Sequence, residues 1–209
     1  MKKIFKISLI IFCSVPAISL HAQKNNKLIL DVNYNYALPM GDFKSQIVSD
    51  GSPRGMSADF TYRINNNFSA GLGFGFQDFY QKYPRALYKT GDNETTSAVL
   101  SNSVQVIPVM LKGAYYPMGA KKSFVQPYIS AGAGLGISTF TQYLGEFGGR
   151  DNAARLALQG GAGAFIPFSK TSRSGFSIGA DYNMINFNKY DIKNFNNLSF
   201  KAGIYIPVE

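Results

Sequence analysis

Hydrophobic and polar residues alternate strictly between Phe68 and Phe76, in the stretch FSAGLGFGF. Phenylalanine, alanine and leucine fall on one side of an extended chain, and serine and glycine fall on the other. Alternation with a period of two is typical of a strand that has one apolar and one polar or small face. The stretch therefore predicts a two-faced β-strand.

The same pattern recurs along the chain and predicts eight strands in all. They cover residues 27–38, 56–64, 68–76, 97–116, 125–138, 155–168, 176–184 and 198–206. Asn65, Asn66 and Asn67 separate the second strand from the third, and asparagine tolerates the left-handed backbone that tight turns need. These two strands are therefore predicted to form a hairpin.

The fourth segment breaks the alternation. Val104 and Val106 share one phase, whereas Ile107 and Val109 share the other. Pro108 has no N–H to donate to a β-ladder and is accommodated at a bulge. We therefore expect a bulge near residues 107–108 that resets the register of this strand.

The connections between the predicted strands differ in length. Those at 65–67, 117–123 and 169–174 are short, while those at 39–53 and 81–96 are long. A glycine-rich loop around 146–152 and an asparagine-rich loop through 188–197 complete the set. Small outer-membrane barrels have short periplasmic turns and longer outer loops. The pattern predicts an all-β fold, an eight-stranded antiparallel up-and-down transmembrane β-barrel with both termini on the periplasmic side.

The composition of the two faces indicates which one meets lipid. A soluble lipocalin-like barrel turns its apolar face inward around a ligand, and a membrane barrel turns it outward. Here the second face combines glycine and serine with charged residues, which suits a narrow lumen better than the surface of a soluble protein. We therefore expect the charged residues of this face in the lumen: Asp31, Asp59, Arg63, Lys112, Arg155, Asp181 and Lys201. Aromatic residues near strand ends are candidates for a membrane girdle: Tyr36, Tyr62, Phe68, Phe76, Phe168 and Phe176.

The first 22 residues are typical of a secretory signal peptide. Three lysines precede a short apolar core, and small residues lead to a predicted cleavage after Ala22. The predicted mature chain, 23–209, is one barrel domain. It keeps 18 of the 21 basic residues and all 12 acidic ones, for a net charge of +6. Cys13 and His21, the only cysteine and histidine, leave with the signal peptide.

Four segments carry a family resemblance: FSAGLGFGF, VQVIPVMLKGAYYP, QPYISAGAGLGIS and LALQGGAGAFIPF. They resemble the recurrent strands of the small outer-membrane β-barrel domain family of Gram-negative bacteria, and residues 107–112 are the most specific match. The resemblance covers most of the predicted mature chain. It implies the barrel fold and a location in the cell outer membrane.

The residues favour no catalytic, cofactor or metal site. The glycine repeats lie inside strands and lead into no helix, so they lack the context of a nucleotide-binding loop and are better explained as structural glycines. Without histidine or cysteine, the mature chain lacks the usual base, nucleophile and zinc ligands. Asp92 and Glu94 are better explained by a solvated loop than by a calcium site. The sequence has no basic tract with interleaved aromatic residues that would indicate nucleic-acid binding.

Two non-enzymatic functions remain open. The first is a structural, adhesive or surface-interaction role through the outer loops, with the lumen plugged by polar side chains. The second is transport, through a narrow pore or as part of a protein-export machine. The expected partners are outer-membrane lipids and lipopolysaccharide, the barrel-assembly machinery during insertion, and an extracellular or envelope protein.

Overall fold

The computed structural model describes residues 28–89, 95–119, 124–169, 172–189 and 192–208. The predicted signal peptide, Asp92 and Glu94 lie outside these ranges. The elements are β1 (Leu28–Met40), α1 (Gly41–Gln46), β2 (Ser52–Arg63), β3 (Phe68–Lys82), β4 (Ala86–Lys89), β5 (Thr95–Ala98), β6 (Leu100–Tyr115), β7 (Gln126–Leu144), β8 (Phe147–Pro167), β9 (Gly175–Lys189) and β10 (Ile192–Val208).

Eight of these strands close into a barrel in the order β1-β2-β3-β6-β7-β8-β9-β10. Every neighbouring pair is antiparallel, and β10 pairs with β1 to complete the ring. The remaining strands, β4 and β5, form a separate small hairpin. The prediction of an all-β, eight-stranded antiparallel barrel is confirmed.

We name the two ends of the barrel by what they carry. The terminus end holds Leu28 and Val208, which pair with each other, and the connections at 64–67, 116–125 and 168–174. The loop end holds α1, the β4–β5 hairpin, the connection at 145–146, and the ends of β9 and β10 at Lys189 and Ile192. The Asn65 side chain stabilises the first turn of the terminus end, accepting hydrogen bonds from the backbone N–H groups of Asn67 and Phe68 at 2.9 and 2.8 Å.

The exterior of the barrel is apolar, as the alternation predicted. In β1, Asp31 and Asn33 are buried while Val32 and Tyr34 are exposed. Leu72, in the middle of β3, is exposed, whereas the adjacent Gly73 is buried. All six predicted girdle residues are exposed as well. The choice of a membrane barrel over a soluble barrel is confirmed.

Two predicted loops are mostly strand. β7 and β8 remain paired as far as Leu144 and Phe147, and the connection between them is a two-residue turn. Gly145 has a φ of +63° at this turn, a backbone conformation that favours glycine. Similarly, β9 extends to Lys189 and β10 begins at Ile192. Glycine and asparagine in these segments resembled loop composition, but cross-strand pairing holds them in the sheet.

The predicted bulge at residues 107–108 is wrong. Phe74 pairs with Val109, and Gln77 pairs with Val106, so the register is the same on both sides of Pro108. On the other side of β6, pairing with β7 is continuous through Pro108. The proline therefore interrupts the ladder with β3 without shifting it. The change of phase in the sequence has another cause: Val104 and Val106 point into the barrel and are buried there.

Candidate functional site

A band of charged side chains crosses the middle of the lumen. Lys112 Nζ lies 2.7 Å from Asp59 Oδ1, which joins β6 to β2. Lys201 Nζ lies 2.8 Å from Asp181 Oδ2, which joins β10 to β9. Both pairs are nearly inaccessible to solvent. Buried charges need such partners because an unpaired ion in a low-dielectric interior is strongly unfavourable.

Asp31 completes the charged band without a direct ion pair among the contacts described. It accepts a hydrogen bond of 2.6 Å from Ser177 Oγ, which also lies 2.8 Å from Asn33 Oδ1. The hydroxyl has a single proton, so it donates to one of these oxygens at a time. Ser177 and Asn33 are fully enclosed by the barrel wall. The contact joins β9 to β1, which lie on either side of β10.

Arg63 and Arg155 differ in their surroundings. The Arg63 guanidinium lies 4.5 Å from the ring centroid of Tyr116, and its Nε is buried. Arg155 is exposed, because it lies beyond Ala157, where the pairing of β8 with β9 ends. The structure therefore brings six of the predicted lumen residues into the barrel and leaves Arg155 out. The six comprise three carboxylates and three cations, so their formal charges cancel.

An amide ladder lies on the loop-end side of the Lys201–Asp181 pair. Gln159 Nε2 donates to Asn183 Oδ1 at 2.9 Å, and Asn183 Nδ2 donates to Asn197 Oδ1 at 3.0 Å. These residues face one another on β8, β9 and β10. Next to the ladder is a cavity of about 50 Å³, with room for only a few waters.

An apolar plug closes the loop end of the lumen. Its members are buried hydrophobic residues from α1 and the segment after it, and from the wall: Ala37, Phe43, Ile47, Val48, Phe79, Val104, Val106, Met110, Phe140, Ala157, Ile185, Phe187 and Phe195. Phe43 lies at the centre, with ring centroids 5.0 Å from both Phe79 and Phe195. The long predicted loop 39–53 is therefore partly folded into the barrel.

Hydrogen bonds from the wall hold the segment after α1 in place. The Ile47 carbonyl accepts from Asn102 Nδ2 at 2.9 Å and from the Tyr83 hydroxyl at 3.0 Å. Burial raises the pKa of Tyr83, with smaller contributions from Asp50 and Tyr88, so the hydroxyl remains a donor at physiological pH. Ser49 and Gln81 add a side-chain contact of 2.9 Å. The plug is anchored on β3 and β6.

An aromatic cluster closes the terminus end. Tyr116, Tyr128, Phe165 and Tyr205 are buried there. The Phe165 ring lies 4.9 Å from Tyr128 and 4.6 Å from Tyr205, measured between centroids. Lys201 Nζ lies 5.7 Å from the Tyr128 ring centroid, which connects the cluster to the charged band. In the described part of the chain, the lumen is thus filled from one end to the other.

Sequence reasoning missed both the apolar plug and the aromatic cluster. The available signal was the presence of large apolar residues in the polar phase of their strands, such as Val104, Val106, Tyr128 and Tyr205. For Val104 and Val106, the predicted bulge gave a different explanation of the same signal. Phe43 carried no signal, because it lies in a connection without periodicity.

Comparison with known proteins identifies the family. The model of the outer membrane protein beta-barrel domain matches residues 9–205. The chain belongs to this family. Its members are located in the cell outer membrane, and so is this protein. The family and the closed barrel explain why the exterior is apolar and the interior is polar at mid-height.

Solved structures share the fold at low sequence identity. Neisserial surface protein A (NspA) has a TM-score of 0.55 at 16% identity, over 87% of this chain and 97% of that chain. The outer membrane protein OprG from Pseudomonas aeruginosa has a TM-score of 0.54 at 18% identity, over 85% of this chain and 93% of that chain. Among curated proteins there is no match.

Two features are absent from residues 28–89, 95–119, 124–169, 172–189 and 192–208. Of the helices in these ranges, none is long and apolar enough to cross a membrane. The same ranges contain no group of three or more histidine, cysteine, aspartate or glutamate residues placed to hold a metal ion.

Proposed function

We propose that this outer-membrane barrel does not conduct and serves as a rigid base for surface contacts made by its loop end. The observation that carries the proposal is the filled lumen. A solute would have to pass the apolar plug, the charged band and the aromatic cluster in turn. Two of these layers are close-packed hydrophobic material, which excludes water and ions.

The charge balance of the lumen supports the same proposal. Three carboxylates and three cations lie within it, and the pairs Lys112–Asp59 and Lys201–Asp181 neutralise each other directly. Selective pores use rings of like charge that face water. Paired buried charges instead tie nearby strands of the wall together.

The loop end supplies the surface for contacts, and we infer that it faces the outside of the cell. The longest extensions beyond the barrel wall, the β4–β5 hairpin and the paired ends of β7 and β8, lie at the loop end, as in barrels whose outer loops exceed their periplasmic turns. The β4–β5 hairpin and the β7–β8 extension project from the loop end, where the Gly145 N–H donates to the Val99 carbonyl at 3.1 Å. Leu87 and Phe147 are each 75% exposed on these two projections. Exposed large apolar side chains on a rigid base are suited to protein contacts.

The alternative is a narrow pore or a component of an export machine. The cavity of about 50 Å³ beside the amide ladder favours it, because widening that space would be the first step toward a channel. The cavity lies between the plug and the charged band, with packed side chains on both sides. The observations therefore support the non-conducting barrel more strongly.

The proposal includes no catalytic step, cofactor or nucleic acid. Its partners are outer-membrane lipids and lipopolysaccharide around the apolar exterior, the barrel-assembly machinery during insertion, and a protein at the cell surface. Signal-peptide cleavage after Ala22 remains a prediction.

Planar-bilayer recording tests the proposal. Purified, refolded protein is expected to give no steady conductance, while a shift in gel mobility between boiled and unboiled samples shows that the same preparation is folded. A steady, reproducible single-channel conductance from the folded species would overturn the proposal. Deletion of the gene provides a second arm. A defect in protein secretion with an intact envelope would favour the export alternative.

A further inference from the structure

One strand of the barrel has a free edge at the loop end. β8 pairs with β7 from Phe147 to Phe165. Its pairing with β9 stops at Ala157, which lies opposite Ile185. Within the described ranges, residues 147–156 therefore have a β-partner on one side only. We call this segment the β8 edge.

The parts of β9 and β10 next to this edge are held by the apolar plug. Phe187 of β9 and Phe195 of β10 are buried, and their rings stack with centroids 4.1 Å apart. The Phe195 ring also packs against Phe43 of the plug, with ring centroids 5.0 Å apart. The register between β9 and β10 shifts between Ile192 and Asn194. Both rings belong to the apolar plug, which holds this part of β9 and β10 inside the barrel, beyond the point where pairing between β8 and β9 ends.

An unpaired strand edge presents backbone N–H and C=O groups that another extended chain can use. Proteins commonly bind extended segments by adding them as a strand to such an edge. The side chains along the β8 edge leave room for this, because Phe147, Arg150, Arg155 and Leu156 are all exposed. The edge is rigid, since β7 pairs with it throughout and β7 itself pairs with β6 up to Leu144.

Charge indicates which kind of segment fits. Arg150 and Arg155 are exposed cations in opposite phases of the strand, so one is presented on each face of the edge. Asp151 already has an interaction within the chain. A second copy of this protein would bring the same two arginines against them, which is unfavourable. An acidic segment would meet a cation on either face.

We propose that the β8 edge binds an extended acidic segment of another protein by strand addition. This inference rests on the proposed function, because it requires the loop end to be available for contacts at the cell surface. It names the element that makes the contact and the chemistry of the partner. The backbone of residues 147–156 supplies hydrogen bonds, and Arg150 and Arg155 supply the preference for acidic side chains.

Peptide binding to the full-length protein in lipid nanodiscs tests the proposal. The probe is a fluorescent peptide that alternates glutamate and valine over the length of the β8 edge, and the readout is fluorescence anisotropy. We expect saturable binding that weakens by about tenfold in the Arg150→Glu/Arg155→Glu variant, because like charges then face each other across the pair. The same variant should prefer a lysine–valine peptide.

Two controls separate strand addition from simple charge attraction. The same acidic peptide with alternate amide nitrogens methylated keeps its charge but loses backbone donors, and we expect it not to bind. Ala153→Pro and Ala154→Pro are compared because successive N–H groups point alternately toward β7 and away from it. The variant whose N–H points away should fold normally, by its gel shift, and lose peptide binding.

The proposal is overturned if the acidic peptide does not bind folded protein, or if the methylated peptide binds as well as the unmethylated one. It is also overturned if both proline variants fold and bind normally. These outcomes are distinct from failure of the proposed function. If the barrel neither conducts nor binds the peptide, only the proposed binding at the β8 edge is contradicted. Steady conductance contradicts the proposed function, whether or not the peptide binds.

Discussion

The carboxylate of Asp181 occupies the space above Gly161 that a β-carbon at this glycine would fill. A β-carbon there would also lie 2.7 Å from the Ala180 carbonyl oxygen, which belongs to the backbone and cannot move aside. On the other face of the same strand, nothing lies within 4 Å of a β-carbon built on Gly160. Adjacent glycines in β8 therefore have different roles.

This pair gives a matched test of the lumen. Gly161→Ala is expected to destabilise the folded barrel by about 1–3 kcal/mol through overpacking. Gly160→Ala, which adds the same methyl group on the lipid side, should leave stability unchanged or raise it by up to about 1 kcal/mol. Urea unfolding in lipid vesicles measures both. Equal effects of the two substitutions would contradict the assignment of the faces.

The ion pair between Lys201 and Asp181 is expected to stabilise the barrel mainly because each buried charge neutralises the other. Lys201→Met leaves a buried carboxylate without its cation and should destabilise the barrel by about 3–5 kcal/mol. The double variant Lys201→Met/Asp181→Leu removes both charges and should recover much of this loss. Arg54→Met is the control, because the Arg54–Asp78 pair is also 2.8 Å long but the arginine side chain is 57% exposed. Its effect should stay below about 1 kcal/mol. A large loss of stability in Arg54→Met would show that solvent exposure does not explain the difference between the two ion pairs.

Leu72 tests the lipid face. It is exposed at the middle of β3, between Phe60 and Leu111 on the neighbouring strands. Leu72→Arg should weaken folding into bilayers by about 2–4 kcal/mol if the site is near the membrane midplane. Leu87→Arg places the same side chain on the β4–β5 hairpin, outside the barrel wall, and should leave insertion unchanged. The measurement is the fraction of protein that shows the folded mobility after refolding. Normal insertion of the Leu72 variant would mean that the faces are reversed.

Phe43 tests the plug. It is fully buried, so Phe43→Ala should cost about 3–5 kcal/mol of stability. It should still give no steady conductance, because the charged band and the aromatic cluster remain closed. Phe147→Ala removes an exposed ring at the same end and should change stability by no more than about 0.5 kcal/mol. Conductance of the Phe43 variant would show that the plug alone closes the barrel.

Sequence patterns were sufficient for the outline of the fold and for part of the site. Period-two alternation located the eight wall strands and assigned Leu72 outward and Asp59 inward, because each strand meets lipid on one face and the lumen on the other. The same alternation placed Lys112, Asp181 and Lys201 on the inner face. It also placed Arg155 there, although this side chain is exposed. Alternation shows which face of a strand a residue lies on but not where the wall of the barrel ends.

Strand length and lumen packing depended on contacts between distant segments. Residues 147–152 look like a loop in isolation and become strand because they pair with 139–144 across a two-residue turn. Val104 and Val106 look misphased until Phe43, from a connection about sixty residues earlier, is seen beside them in the plug.

The sequence by itself determined the two-faced strands, their number and the apolar exterior, because these follow from local periodicity and from the lipid that surrounds the chain. Only the tertiary structure decided what fills the lumen, which ion pairs form and which strand edge stays free. Those features arise when side chains and strands that are distant in the sequence meet in a closed ring. Neither Phe187 nor Phe195 carries a local sequence signal for the ring stacking in the plug, and no local pattern marks Ala157 as the point where pairing with β9 ends.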